Sequence, residues 1–394
     1  MATLTARGKS LLSGLADVAR TPLAEAFTIP PAIYSSEEIL ALERERIFAT
    51  DWQCPGLAAD IPKPGDYITF TINDQPFFSI RQRDGSIRSF SNVCLHRMMS
   101  LVRDSGNCGR ITCPYHGWTY DTDGRVIGAG HMAHRDPEFD KKGYRLPELR
   151  TEIWQGWIYV TLNDKTPTVA ERLKELEPGV ARYRLPDYIS VVRQDHVWRT
   201  NWKHLTENFM EGYHLPVAHR ATVGAWMPID STKFPDGTFD AFTWQTFTKD
   251  EHATYGRAHP DNKHLTDEWR YTTLMPTVFP CHMYIMAPDH MWYLSLRPKS
   301  VDEVHVRFGV ALAPEVHAAL GDKRDAWLAE VTAFFDKVNA EDRFVVEGIH
   351  TGARAPLAKP GPLSWLEREV HDFARYLDRR LNARPARAVR EAAE

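Results

Sequence analysis

The sequence predicts a two-domain α+β protein: a small antiparallel β domain, then a larger domain combining helices with an antiparallel sheet. Three observations predict it. At 394 residues the chain is too long for one ordinary hydrophobic core. Between Tyr67 and Gly124, short apolar–polar alternations are broken by turn residues at roughly 8–12-residue spacing. Further on, Leu328, Val331, Phe335 and Val338 recur at helical spacing, whereas Val304, Val306, Phe308, Val310 and Leu312 alternate as in a strand.

Composition narrows the function classes. The chain is 43% hydrophobic and 25% charged, with a net charge of −4, which gives no reason to expect nucleic acid. No apolar run approaches membrane-spanning length. Five cysteines form an odd, sparse set that fits a reducing, cytoplasmic compartment better than a disulfide framework.

Taken in order, residues 1–26 place Arg7, Lys9 and Arg20 around a Leu11, Leu12, Leu15, Val18 pattern of helical spacing. With Asp17 the only acid before Glu25, this reads either as a transit peptide or as an amphipathic helix fraying at a terminus, and the second is the expectation. Ser35-Ser36-Glu37-Glu38 starts a helix leading to Ile47, Phe48 and Trp52. Residues 1–45 thus form a helical segment expected to pack on the larger domain. Strands are expected at 67–72 and 77–81 around Asn73-Asp74-Gln75-Pro76, and at 87–93 after Asp84-Gly85. Asp123-Gly124 marks a hairpin after Trp118-Thr119-Tyr120. The run 153–160 reads as the closing strand, and Asn163 to Pro167 as an exit linker. The β domain therefore spans 46–165 and the larger domain 166–394.

Two chemical motifs stand out. The first is Cys94-Leu95-His96 and Cys113-Pro114-Tyr115-His116, which brings thiolate sulfur and imidazole nitrogen to two loop tips, a metal's ligand set. Four such ligands also suit structural zinc, but zinc fingers usually pair like with like within each motif. One cysteine and one histidine per loop is what a Rieske [2Fe-2S] cluster requires, with Cys94 and Cys113 on one iron and His96 and His116 on the other. Neutral imidazoles in place of two thiolates raise the cluster potential. Here the sequence resembles the Rieske domain of the Rieske non-haem iron oxygenases.

The second motif begins at Asn201. Residues 201–214 lack proline and set Glu207, Glu211 and His214 at i, i+4 and i+7, which predicts one helix face. Pro216 should end that helix near Leu215 and let His219 come back toward His214. Two histidines and one carboxylate form the facial triad of non-haem Fe(II) oxygenases, with positions open for O2 and substrate. A helix over 322–340, its face continuing through Asp342, Val345 and Ile349, supplies the carboxylate. A carboxylate on an apolar stripe is costly to bury unless paired or ligated, which points to Asp342, with Glu341 its competitor.

Glu207-Asn208-x-x-Glu211-x-Tyr213-His214-x4-His219, and Glu341-Asp342 followed by Glu347, resemble the iron motif and third-ligand segment of the catalytic α subunits of Rieske oxygenases. The resemblance covers nearly the whole chain. It implies a helix-grip catalytic domain, an antiparallel sheet around a long helix, with His214, His219 and Asp342 holding mononuclear Fe(II) and Asn208 beside it. It also implies that Glu211, where the family usually has aspartate, links His214 to His116 of a neighbouring chain in a homotrimer. Electrons would come from NAD(P)H through a separate reductase, with or without a ferredoxin, and O2 would be the cosubstrate for oxidation of a small molecule.

A glutamate at the bridge is associated within the family with quaternary ammonium substrates such as betaines, carnitine and choline. Aromatic faces hold such cations well, and Trp226, Phe242, Trp244, Tyr284, Trp292 and Tyr293 are candidates. The expected reaction is N-demethylation or hydroxylation of a quaternary amine. The alternative is ring hydroxylation or O-demethylation of an aromatic acid, with Arg297 or Arg307 as the cation. A different class, a Rieske electron carrier without oxygenase activity or a zinc-bound binding module, would make the second motif coincidental. In the tail, Trp365, Val370, Phe373, Tyr376 and Leu377 keep helical spacing. Arg379, Arg380, Arg384, Arg387 and Arg390 form either a docking patch for an acidic reductase or, as expected, a solvated helix face that frays.

Overall fold

Two seven-stranded antiparallel sheets organise the chain. The computed structural model describes residues 4–132, 138–225, 227–253 and 255–383. The first sheet takes β1 (Gln53–Leu57), β2 (Asp66–Ile72), β3 (Gln75–Arg81), β4 (Ile87–Ser91), β5 (Ser105–Asn107), β9 (Glu148–Trp154) and β10 (Trp157–Thr161), in the order β1-β10-β9-β4-β3-β2-β5. A three-stranded sheet of β6 (Ile111–Thr112), β7 (Thr119–Tyr120) and β8 (Val126–Gly128) completes this half. The second large sheet contains β11 (Ile189–Trp198), β12 (Thr232–Lys233), β13 (Phe242–Thr248), β14 (Thr272–Val278), β15 (His282–Met286), β16 (His290–Pro298) and β17 (Val304–Leu312), in the order β11-β17-β16-β15-β14-β13-β12.

Helices α1 (Ala6–Arg20) and α2 (Glu37–Glu43) precede the first sheet, and α3 (Val169–Arg172) and α4 (Glu177–Ala181) lie between the sheets in sequence. Then follow α5 (Trp202–Met210), α6 (Leu215–Ala218), α7 (Pro314–Leu320), the 30-residue α8 (Arg324–Ala353) and α9 (Arg368–Leu381). One face of the second sheet packs on α1, α5, α8 and α9 through residues such as Trp202, Phe279, Phe308 and Phe373. The other face packs on the first sheet and on residues 169–188, through Trp157, Tyr159, Tyr284 and Tyr293. Because both faces are covered, the alternating run of β17 is buried at almost every position.

Four local expectations are corrected. The run 153–160 is two strands, turned by Gln155 and Gly156 with φ of 48° and 83°, a two-residue hairpin loop with both residues left-handed. Helix α1 is docked rather than frayed: Leu12, Leu15, Ala16 and Ala19 are buried, and Asn382 Nδ2 donates to Leu12 O at 3.0 Å. The tail is a solvated face only in part: α9 buries Val370, Phe373, Tyr376 and Leu377, while Arg379 stays exposed. Arg380 pairs with the buried Asp51, which also accepts from Tyr376 Oη and Arg172. Arg384, Arg387 and Arg390 lie outside the described residues. Residues 163–167 are pinned, Thr166 Oγ1 donating to Thr50 O at 2.6 Å and Trp52 Nε1 to Pro167 O at 2.9 Å.

Polar groups lock the two halves. Arg307, buried on β17, donates to Pro55 O at 2.8 Å and Thr69 O at 3.1 Å, and pairs with Asp195 at 2.9 Å. Arg297 pairs with the same carboxylate at 2.5 Å. Both arginines are thus committed to structure, and neither is the cation expected for an aromatic acid.

Candidate metal centres

The two cysteine–histidine loops are built alike. Cys94 follows β4 and Cys113 follows β6; each cysteine carbonyl accepts from the amide four residues on, Met98 N at 3.0 Å and Gly117 N at 3.1 Å. Those fifth residues both sit in the left-handed region, with φ of 53° and 72°, which curls each loop around its sulfur. Both cysteines are buried while His96 and His116 are exposed, so the imidazoles form the outward edge. Their rings lie 4.6 Å apart, and His96 stacks on Trp118 at 5.3 Å.

Tyr120 Oη lies 3.2 Å from Cys94 Sγ and accepts from Leu95 N at 3.0 Å. Burial works against ionisation of Cys94, but the Tyr120 hydroxyl, the amides of His96 and Arg97 and the neighbouring Cys113 thiol together hold it below the ordinary thiol range. Backbone donors aimed at paired thiols, with two imidazoles on the solvent side, fit the donor chemistry of a [2Fe-2S] cluster.

The second centre departs from the expected helix. Helix α5 ends at Met210, and Glu211 is extended, with φ −124° and ψ 149°. The Glu211 carboxylate accepts from the backbone amide of His214 at 3.0 Å, a local bond that competes with helix continuation. Pro216 opens α6 instead of closing α5, which suits its fixed φ and missing N–H. Glu207, Glu211 and His214 therefore do not share a helix face. Only Glu207 stays on the helix, partly buried, with Tyr34 Oη at 2.7 and 2.9 Å.

His214 and His219 converge on Asp342 of α8. Their Nε2 atoms lie 3.7 and 2.9 Å from Asp342 Oδ1, and one ligand atom from each of the three residues lies within 4.8 Å of the others. Asn208 Nδ2 is 3.4 Å from His214 Nε2. Each histidine has a carboxylate behind it: His214 Nδ1 meets Glu211 at 2.5 Å, and His219 Nδ1 meets Glu341 at 2.8 Å. Adjacent residues on α8 thus divide the work, Glu341 behind the ring and Asp342 in front, and Thr222 Oγ1 anchors Glu341 at 2.5 Å. A carboxylate on Nδ1 fixes the tautomer that leaves the Nε2 lone pair free for metal.

Burial works against the charged form of His214, but Asp342 and Glu211 overcome it and push its pKa up to about 10. Burial likewise opposes ionisation of Asp342, and the two histidines hold it below the usual carboxylate range. A dication would occupy the same electrostatic well that these protons fill, so two imidazoles and one carboxylate fit mononuclear iron.

A cavity beside His214, His219 and Asp342 is lined by Phe209, Met275, Ile285, Trp292, Leu294 and Val338, with Tyr255 and His290 also on its wall. Strand parity decides which aromatics reach it. Ile285 and Trp292 face each other across β15 and β16 on the helix side, whereas the paired Tyr284 and Tyr293 point to the opposite face against Trp157. Phe242 and Trp244 also pack on that far side. Of the expected aromatic set, Trp292 alone lines the cavity among the described residues, and Trp226 lies outside them. Sequence reasoning missed Phe209 and Tyr255, which carry no motif of their own.

Residues 185–383, just over half the chain, match the family described as Ring hydroxylating alpha subunit (catalytic domain), and residues 51–145 match the Rieske [2Fe-2S] domain. The glycine betaine monooxygenase oxygenase subunit of Chromohalobacter salexigens is 32% identical over 212 residues, covering 54% of this chain and 47% of that protein. The benzene 1,2-dioxygenase subunit alpha of Pseudomonas putida is 34% identical over 213 residues, covering 52% and 47%. The chain spans about half the length of the curated relatives it matches. The fold superposes on the quaternary ammonium Rieske monooxygenase CntA with a TM-score of 0.77 at 23% identity, covering 93% of this chain and 97% of that one.

Proposed function

The chain belongs to the Rieske-type ring-hydroxylating α-subunit family, and from that premise we propose that it is the terminal oxygenase of a multicomponent system that oxidises the N-methyl group of a small quaternary ammonium compound. The observation that carries the substrate class is the cavity wall. It holds Phe209, Tyr255 and Trp292, with Glu211 and Asp342 at the metal end, and no lysine or arginine among the described residues. Aromatic faces suit a cation, and an aromatic acid would find no lysine or arginine on this wall to pair with its carboxylate. The likeness to a glycine betaine monooxygenase subunit points the same way.

In this reading Cys94, His96, Cys113 and His116 hold the [2Fe-2S] cluster, and His214, His219 and Asp342 hold iron. When bound, the two groups supply single electrons, passed from an NAD(P)H-dependent reductase, and activation of O2. The chain's own residues do the rest. Glu211 and Glu341 orient the ligand histidines through Nδ1, and Asn208 offers an amide beside His214 Nε2. Trp292 and Phe209, 5.4 Å apart edge to face, keep water from the reacting methyl group. His290, its Nδ1 on Asp289 at 2.6 Å, offers Nε2 to a polar substrate tail. Exposed His116 and the Glu211–His214 pair are the two faces that would meet between neighbouring chains of a homotrimer.

A second reading, oxidation of a neutral aromatic, is favoured by the comparable identity to a benzene dioxygenase α subunit and by the apolar lining. Supplying the reconstituted protein with a surrogate reductase, NADH and O2 separates the two. Formaldehyde from betaines, carnitine or choline, with none from aromatic substrates, is the expected result. Hydroxylated or O-demethylated aromatics with no formaldehyde from quaternary amines would replace the first reading by the second.

A further inference from the structure

A second cavity, of about 430 Å³, lies on the far side of the metal residues. Asn208, Glu211 and His214 line both cavities and so form the wall between them. The wall of the second cavity also carries Glu207, Tyr34 and His204, and its outer part carries Gly352, Ala358 and Lys359. Its wall mixes these polar groups with Ile29, Val345, Ile349 and Val370, and it is roomy enough for several waters with hydrogen-bonding partners on its polar side.

Glu207 is a partly buried carboxyl to which the proposed reaction gives no role. It accepts from the Tyr34 hydroxyl, at 2.7 and 2.9 Å. Tyr34 in turn stacks on His204 at 3.7 Å, and His204 Nε2 is buried with no protein partner. Resting on the oxygenase reading above, we propose that Glu207, held by Tyr34, delivers protons from this cavity to the metal site through water.

The chemistry requires such a route. Inserting one oxygen atom of O2 into a C–H bond and reducing the other to water consumes two electrons and two protons. The reductase supplies the electrons, solvent supplies the protons, and the resulting N-hydroxymethyl group then releases formaldehyde. The Asn208, Glu211, His214 wall is shared with the second cavity, whose rim carries the exposed Gly352 and Lys359, so that side offers protons a route from solvent to the metal residues.

The charges facing Glu207 are consistent with a proton held near neutrality. Burial raises its pKa to about 8, opposed by the Tyr34 bond and by Lys203 of α5, while Glu367 before α9 adds to the rise. Lys203 is itself paired to Glu43 at 2.7 Å. His204 lies 3.9 Å away and is kept neutral by burial, with His350 of α8 and Lys203 adding to that effect. Glu211 faces His214, and Lys359 stands at the rim.

The test is Glu207→Gln, which keeps the shape and a group for Tyr34 but carries no transferable proton. Infrared difference spectra of the wild type should show a protonated carboxyl band that fades as pH rises through about 8 and is missing in E207Q, independent of turnover. Single-turnover product formation by E207Q should fall about 100-fold with iron content unchanged. The wild-type rate should drop as pH rises and Glu207 loses its proton, whereas the E207Q rate should be low and flat. Tyr34→Phe should shift the pH at which the band fades. If the wild type forms product and E207Q matches its rate and pH profile, or the titrating band persists in E207Q, the proton route is overturned and the oxygenase reading stands. No product from the wild type with any substrate class would overturn both.

Discussion

The carboxylate of Glu211 grips His214 twice, taking Nδ1 at 2.5 Å and the backbone amide at 3.0 Å. One side chain thus sets both the loop conformation that ends α5 and the ring orientation that aims Nε2 at Asp342. Glu211→Ala should release both. Turnover is expected to fall about 10–100-fold, the range typical for loss of an orienting partner. Iron analysis alongside NADH-coupled kinetics checks it, and unchanged activity would remove Glu211 from the account.

Gly224 matters for a different reason. Its amide donates to His219 O at 2.9 Å, and a Cβ there would stand 2.2 Å from Leu215 O and 2.7 Å from His219 O. Backbone atoms cannot yield as a flexible side chain can. Gly224→Ala should therefore displace the His219 turn and lower mononuclear iron occupancy while leaving the cluster's absorption spectrum intact.

The buried pair of Glu43 and Lys203 supports α5 from below, with Trp202 Nε1 donating to the second carboxylate oxygen at 2.8 Å. Lys203→Met leaves that carboxylate buried and uncompensated, at a cost of about 3–5 kcal/mol. Adding Glu43→Gln removes the charge yet keeps an acceptor for Trp202, so the double variant should regain most of the loss. Denaturant unfolding of the two variants measures the difference.

His282, on β15, ties the sheets through Tyr159 Oη at 2.9 Å. Burial drives its pKa down to about 3. Its unfolded counterpart takes up a proton below about 6.5, so the unfolded state gains protons that the folded state refuses. Stability is expected to fall as pH is lowered from about 6.5 toward 3. Thermal melts across that window should show a shallower slope for His282→Gln than for the wild type.

What the sequence made legible was local chemistry. The C-x-H and C-x-x-H loops, the two histidines five residues apart and the acidic pair on a long helix can all be read from spacing, because their function lies in that spacing. The end of α5 could not, since it depends on a carboxylate turning back to an amide three residues on, which competes with a helix that the residue types alone permit. Parity would have separated Trp292 from Tyr293, neighbours on one strand, but only the packed helices reveal which face holds the metal site. Arg297 and Arg307 looked available for the same reason. Their partner Asp195 lies on β11, beside the β17 of Arg307 and two strands from the β16 of Arg297, more than a hundred residues away in sequence.

The most direct test of two separate iron centres in one chain is iron and acid-labile sulfide per polypeptide, measured after anaerobic reconstitution for the wild type and Asp342→Ala. About three irons and two sulfides are expected in the wild type, and about two irons with the sulfide and cluster spectrum unchanged in the variant. A wild type with only two irons, or a variant that keeps all of its iron, would contradict a mononuclear site at His214, His219 and Asp342.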